Sequence, residues 1–126
     1  MINSALIRAI AIGMVGLLFI LIIFFGVQSG LRRAQSGTVL DNVTELNQAI
    51  DYFHSDNNRY PSAVEFASSA SMGTYLEPFP PRQFVTDTCQ QSYSYRYINQ
   101  QSYELSYCVS ADVRGITEGS HVLTNN

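Results

Sequence analysis

The chain has 126 residues, a net charge of −3 and seven basic residues, all of them arginine and scattered along the sequence. This length suits one domain of ordinary size. A nucleic-acid-binding protein needs a clustered basic surface, so the charge pattern argues against nucleic acid as a partner. We also expect no metal or cofactor, because Cys89 and Cys108 are not spaced with the two histidines as a zinc site requires.

An apolar segment without any ionisable or amide side chain runs from Ala9 to Val27. At about 1.5 Å per residue, a helix of this length crosses a hydrocarbon core of about 30 Å. It is longer than the apolar region of a typical cleaved leader, which has about 7–15 residues. We therefore expect residues 1–30 to form a retained hydrophobic anchor. Cleavage near residues 27–29, Val-Gln-Ser, is the alternative.

The orientation of this anchor is not set by charge. Arg8 lies on one side of the apolar segment and Arg32 and Arg33 on the other, so the positive-inside rule gives little guidance. The two cysteines and the glycosylation-like sequence Asn42-Val43-Thr44 fit an exported portion. We expect anchoring in the inner, cytoplasmic membrane, with the amino terminus inside and residues 31–126 exported.

Small residues recur four positions apart in the anchor, at Ala9 and Gly13 and again at Gly26 and Gly30. This spacing allows helices to approach closely, which predicts packing against copies of the chain or related subunits. The alternative is that glycine and alanine are simply common in membrane helices. The residues expected to carry the packing are Arg8, Gly13, Gly16, Leu17, Phe19, Ile23, Phe24, Gly26 and Gly30.

A second pattern follows the anchor. Apolar residues spaced 4, 3, 4 and 3 apart predict a helical continuation over 31–55, with one face that needs a partner. Asn58 and Pro61 should stop this helix and begin loops over 56–91. Within these loops, Ser62 and Glu65 form a capping box for a short helix that ends near Gly73. The apolar stripe consists of Val39, Val43, Leu46, Ile50 and Phe53.

Residues 92–126 are predicted to hold a β hairpin and a last strand near His121–Thr124. Over 92–109, polar and apolar residues alternate strictly, as in strands with one buried face. A three-residue loop at 99–101 keeps the tyrosines of both strands on one face, whereas a two-residue loop would not. This register pairs Tyr93 with Tyr107, Tyr95 with Leu105, Arg96 with Glu104 and Tyr97 with Tyr103. The predicted fold is α+β, with the long helix packed on a small antiparallel sheet.

The same register places Cys108 on the outer face of the hairpin, and Cys89 lies just before its first strand. A bend there would join the two cysteines and close a loop of about 20 residues, worth about 3 kcal/mol in the chain-entropy model. Two free structural thiols are the alternative.

Taken in this order, the segments resemble a type IV pilin-like protein, most nearly a pseudopilin of the type II secretion group. Residues 49–61, AIDYFHSDNNRYP, are similar to that family's A-L-x-x-Y-x-x-D-N-x-x-Y-P junction. Residues 103–108, YELSYC, are similar to the closing strand of its disulfide-bearing members. The resemblance implies a filament subunit that assembles through its hydrophobic amino-terminal helix. It also implies a cell-surface or extracellular location once assembled.

The amino terminus departs from the family pattern. Asn3 stands where the family has the glycine that precedes cleavage, and Arg8 stands where it has a glutamate. In the family, that glutamate is thought to pair with the amino terminus of a neighbouring subunit. Arg8 cannot make that pair, so a membrane-anchored surface-binding module that does not polymerise is the alternative function.

We do not expect an enzyme, because no nucleophile-elbow, zinc-protease or phosphate-loop motif is present. His54 is expected to act as a cation at the helix end. Asp112 and Glu118 are too few carboxylates for a calcium site.

Overall fold

In a computed structural model, residues 4–82 and 88–125 are described. The fold is α+β, as predicted: a long amino-terminal helix packs on a three-stranded antiparallel sheet of strand order β1-β2-β3. Contacts divide the chain into two compact units, Met1–Arg32 and Arg33–Asn126. The elements are α1 (Ser4–Asn57), α2 (Ala63–Ala67), α3 (Ser69–Met72), β1 (Tyr93–Asn99), β2 (Ser102–Val109) and β3 (Gly119–Thr124).

The core of the second unit lies between α1 and the hairpin. Every residue of the predicted apolar stripe is at most 4% exposed, which confirms the helical spacing. On the sheet side, the predicted inward face supplies the opposing surface, and the two sets form one hydrophobic cluster. The buried sheet residues are Tyr93, Tyr103, Leu105, Tyr107 and Val109.

The hairpin has the predicted pairing, including Tyr93 with Tyr107 and Tyr97 with Tyr103. Its turn is tighter than predicted, because the register shifts after Tyr97 and Asn99 pairs with Ser102. The Asn99 side chain explains the difference: its Oδ1 accepts a hydrogen bond from the Gln101 N–H at 2.8 Å. Such a local side-chain bond mimics a backbone turn and shortens the loop.

Tyrosine hydroxyl groups of the core form hydrogen bonds with the surrounding chain. Tyr93 Oη donates to the Pro80 carbonyl and Tyr95 Oη to the Pro61 carbonyl, both at 2.6 Å. Tyr103 Oη donates to Asn47 Oδ1 at 2.7 Å, and burial raises the pKa of this tyrosine. Alternation predicted these rings to be buried, but it gave no partner for their hydroxyl groups.

The end of α1 falls at Asn57, two residues beyond the predicted limit of 55. Asn58 then adopts the left-handed conformation, with φ of 53°, and its N–H donates to the His54 carbonyl at 2.8 Å. Asparagine tolerates this conformation, so the hydrogen bond from its N–H can close the last turn of the helix. His54 lies in that last turn and stacks on Tyr60, with ring centroids 4.2 Å apart.

The loop region predicted over 56–91 contains two short helices. The capping box of α2 is confirmed: Ser62 accepts from the Glu65 N–H, and Glu65 accepts from the Ser62 N–H. α2 ends at Ala67, and α3 then continues to Met72, with Gly73 as its cap. Residues 83–87 of the predicted loop lie outside the described residues.

Glu65 should contribute a measurable acid dependence to stability. Its pKa is lowered from 4.5 to about 2, chiefly by hydrogen bonds from Arg59, at 2.6 and 2.7 Å, and from the Ser62 N–H. A carboxylate with a lower pKa in the folded state stabilises the fold above its unfolded pKa. We therefore expect this contribution to be complete above pH 4.5 and to be lost as the pH falls towards 2.

Thermal unfolding of the full chain between pH 2 and 6 in detergent tests this expectation. Glu65→Gln should flatten part of the acid limb. Glu45→Gln, on the exposed surface of α1, removes one negative charge as the matched control. Equal acid limbs in the two variants would show that the Arg59–Glu65 pair does not matter for stability.

A buried serine joins α1 to the end of β2. Ser36 Oγ accepts hydrogen bonds from the N–H groups of Ser110 and Ala111, both at 3.1 Å. Ser36 is 1% exposed, so this hydroxyl is shielded from water. This contact was not predicted from the sequence, although Ser36 lies three residues before Val39 and so continues the spacing of the apolar stripe.

Ser36→Ala is expected to destabilise the folded chain by about 2 kcal/mol, because two backbone donors lose their buried acceptor. Thr38→Ala is the control, since the exposed Thr38 hydroxyl bonds only within its own helix, to the Ala34 carbonyl. That change should stay within about 0.5 kcal/mol. Denaturant unfolding in detergent measures both, and similar midpoints would contradict the assigned role of Ser36.

Cys89 and Cys108 form a disulfide with Cα atoms 5.7 Å apart, the pair that the sequence predicts. The prediction that Cys108 lies on the outer surface needs correction. It occupies the expected face of β2, yet it is only 8% exposed. Cys108 Sγ is bonded to Cys89, which is itself 3% exposed, and lies 3.8 Å from the Thr88 carbonyl oxygen. Strand alternation assigns a face, but it cannot show what packs over that face.

Candidate functional site

The first unit presents an apolar helical surface to its surroundings. Fifteen large apolar side chains between Ile10 and Leu31 are each 42–73% exposed. Removing a large apolar side chain from water is worth about 1.5–3 kcal/mol. A surface of this size marks an interaction site and is compatible with burial in a membrane.

This segment also meets the requirement for crossing a bilayer. Over the described residues, one helix is long and apolar enough to do so, with a mean hydropathy of 3.0 in its most apolar 18-residue window. Arg8 and Arg32 bound the segment, and both are exposed. The apolar surface therefore extends along the helix from one of these arginines to the other.

The glycines predicted to carry packing have open space around them. A Cβ atom added at Gly13, Gly16, Gly26 or Gly30 would meet nothing within 4 Å. At about 100° per residue, these four positions fall within an arc of about 140°, which we call the glycine face. All four glycines therefore lie on one side of the helix, where a second helix could approach closely.

The other predicted packing residues lie within the glycine face or at its borders. Phe19 and Ile23 fall within it, whereas Phe24 and Leu17 lie about 20° and 40° beyond Gly13. Arg8 falls at the opposite border, beside the direction of Gly26. The predicted set thus forms one side of the helix with Leu17 as its outermost member.

The other charged candidates of the sequence analysis have structural partners. Asp112 Oδ1 accepts from the Glu118 N–H at 2.7 Å, and Glu118 Oε1 accepts from Thr88 Oγ1 at 3.0 Å. His54, the remaining candidate, lies in the last turn of α1 and stacks on Tyr60. Over residues 4–82 and 88–125, no group of three or more His, Cys, Asp or Glu side chains is placed to hold a metal ion.

Comparisons of the chain with protein-family models, with curated proteins and with solved structures give no match. The class defined by the observations above is an α+β domain preceded by an exposed, charge-free apolar helix.

Proposed function

We propose that the chain is a structural subunit, anchored in a membrane, that assembles with copies of itself or with related subunits through its apolar helix. The main observation in support of this proposal is the exposed apolar surface between Ile10 and Leu31. A bilayer covers this surface before assembly, and neighbouring helices cover it afterwards.

The glycine face supports helix–helix contact as the mode of assembly. In lipid, helices gain little from the hydrophobic effect by pairing, so close van der Waals contact must drive their association. In the described residues, a Cβ added at any of the four glycines would meet nothing within 4 Å, which leaves room on that side of the helix for a second helix. A helix that is apolar on all sides suits both lipid and the interior of a group of helices.

We place this subunit in the type IV pilin-like class, as a pilus or pseudopilus component. The junction at residues 49–61 and the disulfide-bearing last hairpin support this proposal. The disulfide also supports export of the second unit, because such bonds persist in oxidising compartments. The proposed location is therefore the inner membrane before assembly, and the cell surface afterwards.

A non-polymerising membrane-anchored binding module is the second candidate. Arg8 favours it, since a positive charge at the border of the glycine face opposes close packing of identical helices unless it finds an acceptor. A neighbouring backbone carbonyl, a lipid phosphate or water can serve as that acceptor.

Co-purification of two differently tagged copies distinguishes the candidates. The two full chains are produced in one membrane and extracted in mild detergent, and one tag is captured. Membranes that each hold a single tagged chain, mixed only after extraction, form the control. Assembly predicts recovery of the second tag well above the control. Recovery equal to the control would contradict assembly.

A further inference from the structure

The sequence of the apolar helix and its flanks carries positive charge and no carboxylate. Among residues 1–40, the charged side chains are Arg8, Arg32 and Arg33. The first acidic residue of the chain is Asp41, and it already pairs with Arg114. The segment therefore supplies no acidic side chain of its own to balance these arginines.

Arg8 and Arg32, the two arginines of the first unit, have exposed side chains. Neither takes part in an ion pair within residues 4–82 and 88–125. The ion pairs of those residues join Arg59 to Glu65, Arg96 to Glu104 and Arg114 to Asp41. Both guanidinium groups are therefore accessible to an anion from the surroundings of the helix.

The spacing of these two arginines matches the thickness of a bilayer. Arg8 and Arg32 are 24 positions apart in one continuous helix, α1. At about 1.5 Å per residue, this separation is about 36 Å. The hydrocarbon core of a bilayer is about 30 Å thick, and the whole bilayer with its headgroups about 40–45 Å. An upright helix centred in the bilayer therefore places one arginine in the headgroup layer of each leaflet.

The anions of a headgroup layer are phosphate groups, and the chemistry of arginine fits them. The planar guanidinium group presents N–H donors as a fork that binds two phosphate oxygens at once. Basic residues at the end of a membrane helix are also attracted by the negative potential of anionic lipids. A zwitterionic lipid gives a weaker attraction, because its own ammonium group balances its phosphate.

We infer that Arg8 and Arg32 each bind the phosphate group of an anionic phospholipid, one in each leaflet. This inference rests on the membrane anchoring in the proposed function, and it names a lipid partner for the anchor. It also gives Arg8 an acceptor that does not require a neighbouring subunit. A single copy can then hold its position in the membrane before any assembly.

Native mass spectrometry of retained lipid tests the inference. The full chain is reconstituted into vesicles made of equal parts of phosphatidylglycerol and phosphatidylcholine with the same acyl chains, in a buffer that contains inorganic phosphate. It is then released in mild detergent. We expect the parent chain to retain phosphatidylglycerol about fivefold more than phosphatidylcholine, the effect of one basic residue at an anionic surface. Arg8→Gln with Arg32→Gln should retain the two lipids equally.

A control variant removes the same charge from the second unit. Arg96→Gln with Arg114→Gln alters two exposed arginines that already pair with carboxylates. This variant should prefer phosphatidylglycerol as the parent does. Loss of the preference in both double variants would show an effect of net charge alone and would contradict binding at Arg8 and Arg32. Inorganic phosphate retained by the parent in place of lipid would also overturn the assignment.

Flotation of the vesicles on a density gradient separates this inference from the proposed function. If the parent chain does not float with the vesicles, membrane anchoring and lipid binding both fail. If it floats, but the parent and the Arg8→Gln, Arg32→Gln variant retain phosphatidylglycerol equally, lipid binding by these arginines is wrong and anchoring stands. Flotation of both chains, with the preference lost only in that variant, supports the inference.

Discussion

The double substitution Gly13→Leu and Gly26→Leu is expected to abolish assembly and to leave membrane anchoring intact. Leucine keeps the segment apolar, so its affinity for the bilayer is maintained or increased. The added side chains thicken two positions of the glycine face that the fold leaves empty within 4 Å. Close approach of a second helix is then sterically blocked.

The expected loss is large because association depends exponentially on contact energy. A decrease of about 1.4 kcal/mol already lowers an association constant about tenfold. Co-purification of tagged copies should therefore fall to the level of the mixed-membrane control. The amount of chain extracted from the membrane should match that of the parent.

A control variant adds bulk on the other side of the same helix. Leu18→Phe with Leu21→Phe alters two positions that each lie about 150° from the centre of the glycine face. This variant should assemble like the parent. If the glycine variant still assembles, or if both variants fail equally, the assignment of the packing face is wrong.

Removal of the disulfide is expected to give the largest loss of stability in the second unit. Cys89 and Cys108 are separated by 19 positions. Constraining a loop of this size in the unfolded chain is worth about 3 kcal/mol. For a domain of about 95 residues, that corresponds to a decrease in Tm of more than about 10 °C.

The double variant Cys89→Ala and Cys108→Ala tests this expectation by thermal unfolding of the full chain in detergent. Alanine is preferable to serine because both positions are buried and a serine hydroxyl there would need a partner. The reduced parent should unfold close to the double variant. Alkylation of both thiols in the parent without reductant would contradict the disulfide itself.

Much of the fold could be predicted from the sequence because two different periods occur in one chain. The 4-3-4-3 stripe from Val39 to Phe53 and the alternation over 92–109 each bury one face, and their residues form the core. The hairpin register followed from keeping Tyr97 and Tyr103 on the same face. Both inferences depend on side-chain spacing, which local geometry determines.

The structural features that the sequence did not predict have two physical causes. They depend either on contacts between distant segments or on a local side-chain hydrogen bond. Ser36 accepts hydrogen bonds from backbone N–H groups 74 and 75 residues away, and no local sequence pattern predicts such a bond. Cys108 is covered through a covalent partner, and Asn99 tightens the turn through its own side chain. Spacing predicts which way a side chain points, but not what it meets.

The candidate site was only partly predictable for a related reason. The length and charge-free composition of the anchor segment identify its apolar character. A helix that is apolar all round, however, has no hydrophobic face that would point towards a partner. Only the distribution of the glycines distinguishes one side, and in the described residues a Cβ added at any of them would meet nothing within 4 Å.

Negative-stain electron microscopy of the full chain, released gently from its native membrane, tests the central claim most directly. Assembly through the apolar helix predicts elongated polymers with a regular repeat, absent from a Gly13→Leu and Gly26→Leu preparation made in the same way. Discrete monomeric particles from the parent chain, identical to those of the double variant, would contradict the proposed function.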